Sequence, residues 1–290
     1  MPWTATDIPD QSGRTYVITG ANSGLGAVAA RALGARGAEV ILACRNTAKA
    51  EPVAADIGER AQIRKLDLAD LESVRAFAAE TGPTDVLINN AGIMAVPKRR
   101  TADGFEMQIG TNHLGHFALT NLMLPRIRER VVTLSSGAHR AGSINLADLN
   151  YEQRRYERWT AYGQSKLANL LFAYELQRKL AAAGSKVLSV AAHPGYAATG
   201  LQSHTESFFD NVMSVMNRVV AQSAEMGALP ELYAATAPDV VGGAFYGPKG
   251  PGEMRGFPHR VKGNRKSEDV AMAAKLWDLS EQLTGAKFPL

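Results

Sequence analysis

Tyr16-Val17-Ile18-Thr19-Gly20-Ala21-Asn22-Ser23-Gly24-Leu25-Gly26-Ala27-Val28-Ala29-Ala30 changes character twice within fifteen residues. Residues 16–19 suit a buried strand. A turn with three glycines follows, and an Ala/Leu-rich stretch then carries a helix over about 25–36, ended by Gly37. Such a turn lets the backbone bend sharply and approach an anion, while the helix N-terminus offers unpaired N–H groups at the positive end of its dipole. The glycines are spaced three-then-one, not the one-then-two of the usual dinucleotide fingerprint. Taken alone, the turn reads as either a phosphate cradle or a structural bend.

The alternation recurs down the chain. β-branched runs at 39–43, 62–66, 85–88, 130–134 and 186–190 predict further strands, and 243–246 a seventh before the Pro/Gly-rich stretch 247–258. Helical stretches fall between them at 48–57, at 70–80 with Asp70 as N-cap, at 104–124 closed by Pro125, and at 160–183. Successive βα units predict an α/β fold, a doubly wound parallel sheet whose ligands sit at the carboxyl ends of the strands. No polar linker or internal repeat divides the chain, so 1–290 reads as one domain.

Composition narrows the function classes. With 46% hydrophobic and 21% charged residues, the chain is neither disordered nor fibrous. Its lone cysteine, Cys44, excludes an internal disulfide and a thiolate metal cluster, and reads as a small buried apolar residue. A reducing cytoplasm suits it. No apolar run reaches the roughly 18 residues of a membrane span, and the N-terminus carries no secretory signal pattern. The net charge is +4, with Lys and Arg spread out; Lys98-Arg99-Arg100 and Arg154-Arg155 are the densest groups. Without a basic stripe or aromatic platform, nucleic acid is not an expected partner.

The strand ends hold the chemistry. After the second strand the chain reads Ala43-Cys44-Arg45-Asn46. An acid there would bind ribose hydroxyls, whereas Arg45 suits a 2′-phosphate and points to NADP over NAD; a solvated arginine is the plainer alternative. Asp67-Leu68 follows the third strand, where an adenine ring would lie. Asn89-Asn90-Ala91-Gly92 follows the fourth. Tyr162 and Lys166 stand four apart on a helix and share a face, so the ammonium is expected to favour phenolate and lower the tyrosine pKa. Ser135-Ser136 adds a hydroxyl on the same rim, but no Gly-x-Ser-x-Gly elbow is present for a serine nucleophile. His139 reads as a loop residue. His113 and His116 read as packing rather than metal ligands, and no metal site is expected.

In combination, these residues resemble the short-chain dehydrogenase/reductase family in its single-domain, Rossmann-type form: TGxxxGxG, NNAG, a serine, and YxxxK, each at the strand end the pattern requires. Ala43-Cys44-Arg45, Asn112-His113-Leu114-Gly115-His116-Phe117, Gly163-Gln164-Ser165-Lys166-Leu167-Ala168-Asn169, His193-Pro194-Gly195 and Leu276-Trp277-Asp278-Leu279-Ser280 are similar to the retinol dehydrogenase-like branch. The resemblance runs essentially end to end.

It implies an NADP-dependent oxidoreductase that interconverts a small-molecule carbonyl and an alcohol by hydride transfer. Gly20, Asn22, Ser23, Gly24, Leu25 and Gly26 would hold the pyrophosphate side, Arg45 the 2′-phosphate, and Asp67 and Leu68 the adenine. Asn89, Ala91 and Gly92 would flank the nicotinamide ribose, and Pro194, Gly195 and Thr199 the nicotinamide amide. Tyr162 would be the general acid/base, Lys166 its electrostatic partner and a ribose ligand, Ser136 the carbonyl-polarising serine, and Asn112 part of a proton relay. The segment 197–221 would be a small variable substrate lid, its Phe208, Phe209, Met213 and Met216 suiting an apolar substrate or simply packing on the core. Twenty-five residues separate Ser136 from Tyr162, about twice the usual interval, and this insertion reads as either a substrate flap or a surface excursion. Family members commonly associate through the helices holding Asn112 and Tyr162, which leaves self-association open. A non-catalytic NADP-binding regulator or redox sensor on the same fold is the alternative; intact Asn112, Ser136, Tyr162 and Lys166 argue against it.

Overall fold

A computed structural model describes residues 2–196 and 222–290. Eight strands form one sheet: β1 (Thr15–Thr19), β2 (Glu39–Cys44), β3 (Ala61–Lys65), β4 (Thr84–Asn89), β5 (Ile127–Leu134), β6 (Leu188–Ala192), β7 (Phe245–Pro248) and β8 (Pro258–Val261), in the order β3-β2-β1-β4-β5-β6-β7-β8. The first seven run parallel, with one register shift between β4 and β5 at Thr84/Val86, while β8 turns back antiparallel on β7. The expected parallel sheet therefore gains one antiparallel edge strand directly after the Pro/Gly-rich stretch. Its sequence, Pro258-His259-Arg260-Val261, has no apolar run because it pairs on one side only and keeps charge toward solvent, as edge strands do.

Helices cover both faces: α1 (Gly24–Gly34), α2 (Glu51–Ile57), α3 (Leu71–Glu80), α4 (Met107–Ile109), α5 (Gly115–Met123), α6 (Arg158–Ala182), α7 (Ala224–Thr236) and α8 (Val270–Thr284). The single helix expected over 104–124 is in fact three pieces. Glu106 caps α4 by accepting from the amides of Gln108 and Ile109, and a π-turn at Gly110–Leu114 joins α4 to α5. Neighbouring strand residues point to opposite layers. Tyr16, Ile18, Val40, Leu42, Val86 and Ile88 pack toward α1, α2 and α7. Val17, Ile41, Leu87 and Val131 pack toward α3, α5, α6 and α8. Both faces are buried, which is why these strands read as continuous apolar runs.

The chain crosses over between β2-β1 and β4-β5, so the loops after β1 and β4 diverge at the carboxyl edge and leave a crevice there. The expected lid, 197–221, and Thr199 with it, lie outside the described residues.

Candidate active site

The crevice is a cavity of about 550 Å³ whose walls come from the loops after β1 to β6 and from α6. Thr19, at the end of β1, organises its floor. The Thr19 Oγ1 accepts from the backbone amides of Asn90 and Ala91 at 3.0 and 2.9 Å and lies 2.9 Å from His116 Nε2. His116 Nδ1 lies 3.0 Å from the Asn112 carbonyl and must donate to it, so Nε2 accepts from the threonine hydroxyl. Burial holds His116 neutral, with its pKa pulled down to about 4. Asn90 Nδ2 donates to the Thr19 carbonyl at 2.6 Å, and a Cβ on Gly26 would stand 2.5 Å from that same nitrogen. Gly26 is thus required by close packing of α1 on the turn. The Ser23 side chain does not cap α1, which leaves the helix N-terminus to a ligand in the cavity.

One end of the cavity is polar and cationic. Arg45, Asn46 and Lys49 line it beyond β2, and Arg45 and Lys49 are exposed. Asp67 and Leu68 line it beyond β3, where Asp67 shapes its own turn by accepting from the Ala69 amide at 3.0 Å.

The other end holds Ser135, Ser136, Tyr162 and Lys166. Ser135 and Ser136 separate by role: Ser135 Oγ donates to the Lys166 carbonyl at 2.8 Å and fastens α6 to the sheet, while Ser136 lines the cavity with Tyr162 and favours its phenolate. Lys166 is 5% exposed, its Nζ donating to the Leu134 carbonyl at 3.2 Å and standing 5.8 Å from the Tyr162 ring centroid. Burial pushes the Tyr162 phenol up to about 12, against the lowering by Ser136, and pulls the Lys166 ammonium down to about 8. The expected net lowering of Tyr162 by Lys166 is therefore absent in the protein alone, because desolvation of the phenolate outweighs the help it receives. Asn112 sits in the π-turn and does not line the cavity. Its amide clamps the Ile93 backbone, Oδ1 accepting from the amide at 2.8 Å and Nδ2 donating to the carbonyl at 2.9 Å, and also reaches Ser165 Oγ at 2.9 Å.

A glycine turn on an uncapped helix N-terminus, joined to a half-buried serine and a buried Tyr–Lys pair, meets its match in known proteins. The short chain dehydrogenase family model matches residues 14–208. This chain belongs to that family. The dehydrogenase is 43% identical to human retinol dehydrogenase 13 over 96% of its own length and 86% of the relative's. It superimposes on a crystal structure from Mycobacterium paratuberculosis with a TM-score of 0.88 at 55% identity, covering 100% of both chains. A structure described as an NAD(P) dependent gluconate 5-dehydrogenase from Beutenbergia cavernae, with NADP bound at low occupancy, matches at 26% identity and a TM-score of 0.63, over 82% of this chain and 96% of that one. The chain is thus an alcohol-acting oxidoreductase on a fold whose neighbours bind NAD(P).

Most residues singled out in the sequence meet in the dehydrogenase's cavity. Gly20, Asn22, Ser23, Gly24, Leu25, Gly26, Arg45, Asp67, Leu68, Ala91, Gly92, Ser136, Tyr162, Lys166 and Pro194 all line it. Asn89 does not: its side chain is fully buried and donates to Thr120 Oγ1 at 2.9 Å, tying β4 to α5. Lys49, Ile93, Met107 and Thr111 were not anticipated. Met107 and Thr111 stand four apart and share a helical face, a spacing signal, whereas Lys49 is brought beside Arg45 by the turn after β2 and leaves no such mark. His113 is core, with Nε2 3.0 Å from Ser280 Oγ and its ring against Phe117 and Phe172. The insertion before Tyr162 is no free flap. Tyr151 is buried beneath the Arg154 guanidinium at 3.7 Å, and the Tyr156 hydroxyl donates to the Val96 carbonyl at 2.9 Å. Of the insertion's three aromatic side chains Trp159 is the exposed one, at 47%, its ring edge-on to Tyr162 at 6.4 Å between centroids.

Proposed function

We propose that this dehydrogenase interconverts an apolar carbonyl compound and its alcohol with NADP(H). One observation carries the choice of cofactor: Arg45 and Lys49 both line the cavity beyond β2, where NAD selection would want an acid, and neither has an ion-pair partner among the described residues. Two exposed cations there suit a 2′-phosphate, Arg45 by a bidentate fork and Lys49 as a point charge. The remaining walls fit the rest of the dinucleotide: the turn 20–26 and the α1 N-terminus for the pyrophosphate, Asp67 and Leu68 for the adenine, Ala91, Gly92 and Lys166 for the nicotinamide ribose, and Pro194 for the amide, with Gly195 behind it and outside the lining.

When bound, the dinucleotide supplies a hydride to the carbonyl carbon or accepts one from the alcohol. The Ser136 and Tyr162 hydroxyls donate to the carbonyl oxygen as negative charge develops on it, each such donor being worth a few kcal/mol in a buried site. Tyr162, held protonated up to about 12, delivers the proton in the reducing direction. The Lys166 ammonium steadies the phenolate left behind. Asn112, through Ile93 and Ser165, holds both the loop beside the cavity and the α6 turn that carries Tyr162.

An apolar substrate is supported by the open face of Trp159 beside Tyr162 and by Ile93 and Met107 in the wall, and the relative named for retinol acts on an apolar alcohol. The test is cofactor titration by NAD(P)H fluorescence. Wild type is expected to prefer NADPH, and Arg45→Asp to lose that preference while still binding NADH. Equal or absent binding of the two dinucleotides by wild type would remove the NADP assignment.

A further inference from the structure

Two loops of the cavity rim hang on one carboxylate. Ser136 opens the short turn Gly137–Ala141 after β5, and Pro194 and Gly195 follow β6. Glu253, in the turn Pro251–Glu253 beyond β7, reaches both loops. One carboxylate oxygen accepts from Arg140 of the first turn at 2.8 Å, and the other lies 3.0 Å from His193 Nε2, just before Pro194.

His193 is 1% exposed, and its other nitrogen, Nδ1, accepts from the Gly195 backbone amide at 3.2 Å. A nitrogen that accepts carries no proton, so the ring's single proton sits on Nε2 and is donated to Glu253. The carboxylate thereby selects the only neutral tautomer that can receive Gly195. The next residue is held from the same turn, the Tyr196 amide donating to the Met254 carbonyl at 2.7 Å. Gly195 itself has φ +68 and a Cβ there would stand 2.4 Å from the Met254 carbonyl oxygen, so the two segments are in tight contact.

The backbone of Glu253 shows that the side chain is wanted. It has φ +57, in the left-handed region, beside Gly252 at φ +61. Glycine adopts that conformation freely and glutamate does so under strain. A residue kept in a place glycine would fill more easily is kept for its carboxylate. Its donors hold that carboxyl down at about 2, so it is ionised across the working range.

We propose that Glu253 is a positioning residue for the dehydrogenase. It locks the His193 tautomer and with it the Pro194–Gly195 backbone against the dinucleotide, and through Arg140 it holds the Ser136 turn in step with that loop. The inference rests on the NADP(H) reading above, and its test separates the two. Long-range 1H–15N correlation spectra of the histidine rings report the tautomer without reference to activity. Wild type is expected to show His193 protonated on Nε2. Glu253→Ala is expected to populate the Nδ1-protonated form, to weaken NADPH binding about tenfold and to lower kcat about tenfold, the scale of a modest misplacement. Glu253→Gln keeps an acceptor for His193 and should restore most of the NADPH affinity. Arg140→Ala should leave the tautomer and the NADPH affinity alone and lower kcat only. An unchanged tautomer in Glu253→Ala, or a changed tautomer with unchanged NADPH affinity and kcat, would overturn the proposal. If Glu253→Ala does not fold, an unchanged kcat in Arg140→Ala or an unrestored affinity in Glu253→Gln overturns it. Wild type that binds no dinucleotide would instead sink the NADP(H) reading, and this proposal with it.

Discussion

Tyr162 and Lys166 share a buried wall, and burial drives both toward their neutral forms: the phenol up to about 12, the ammonium down to about 8. The lysine is the group that titrates within the working range. A lysine with a lowered pKa keeps its charge below that value and loses it as pH rises through it. Carbonyl reduction is therefore expected to slow above pH 8, because the phenolate left by proton delivery loses its cation. A pH profile of kcat/KM checks this, and Lys166→Arg, charged throughout, should show a lower plateau without the decline. Glu231, on α7, is 2% exposed with both carboxylate oxygens unpartnered among the described residues, and burial raises its pKa to about 8. The unfolded chain releases this proton near 4.5 and the folded protein keeps it, so stability falls as pH rises through that window and is lowest above 8. Glu231→Gln cannot ionise. Its gain in Tm over wild type should grow from pH 5 to pH 8 and then level off, as thermal unfolding at several pH values would show. Tyr162, Lys166 and Ser136 were legible in the sequence because their chemistry is tied to helical spacing and to a strand end. The direction of the Tyr162 shift was not, because burial cannot be read from a four-residue interval.

Among the elements, the turn after β1 does two jobs. Asn90 and Thr19 knit it to the loop after β4, and Gly26 lets α1 close onto that knot. Gly26→Ala would place a methyl 2.7 Å from the Gly20 carbonyl oxygen, a backbone atom that cannot swing aside. Overpacking of this kind typically costs 1–3 kcal/mol. The variant should lose about that much stability in a urea titration and most of its dinucleotide affinity in the fluorescence assay. The strands and helices around this turn were legible from their alternation. Three features were not. β8 has too little apolar content to announce itself, the π-turn at Gly110–Leu114 leaves no periodic mark, and the Asn89 side chain turns into the core although its neighbours face the crevice. Each is settled by contacts that the local residue pattern does not encode.

Across the whole molecule, α8 decides which surfaces stay open. It lies against α5 and α6, the helices through which relatives were expected to associate. Trp277 stacks on Phe172 at 5.7 Å and meets Phe117 edge-on at 4.9 Å. Removing a buried tryptophan ring generally costs 3–5 kcal/mol. Trp277→Ala should lower the denaturation midpoint accordingly and expose Phe117 and Phe172, with new oligomers visible by sedimentation. No helix among the described residues is long and apolar enough to cross a membrane.

The antiparallel return of β8 also has a consequence in time. Each parallel neighbour in this sheet must wait for a crossover, so pairing is non-local from β1 to β7 and slow to assemble. Among the described strands only β7 and β8 can zip up as a hairpin, and Glu253 lies in the link between them. A chain still emerging from the ribosome would carry the glycine turn, Arg45, Ser136, Tyr162 and Lys166 long before it carried the clamp for the Pro194–Gly195 loop. Full turnover would then arrive with the pairing of β7 and β8, later than the cavity wall itself.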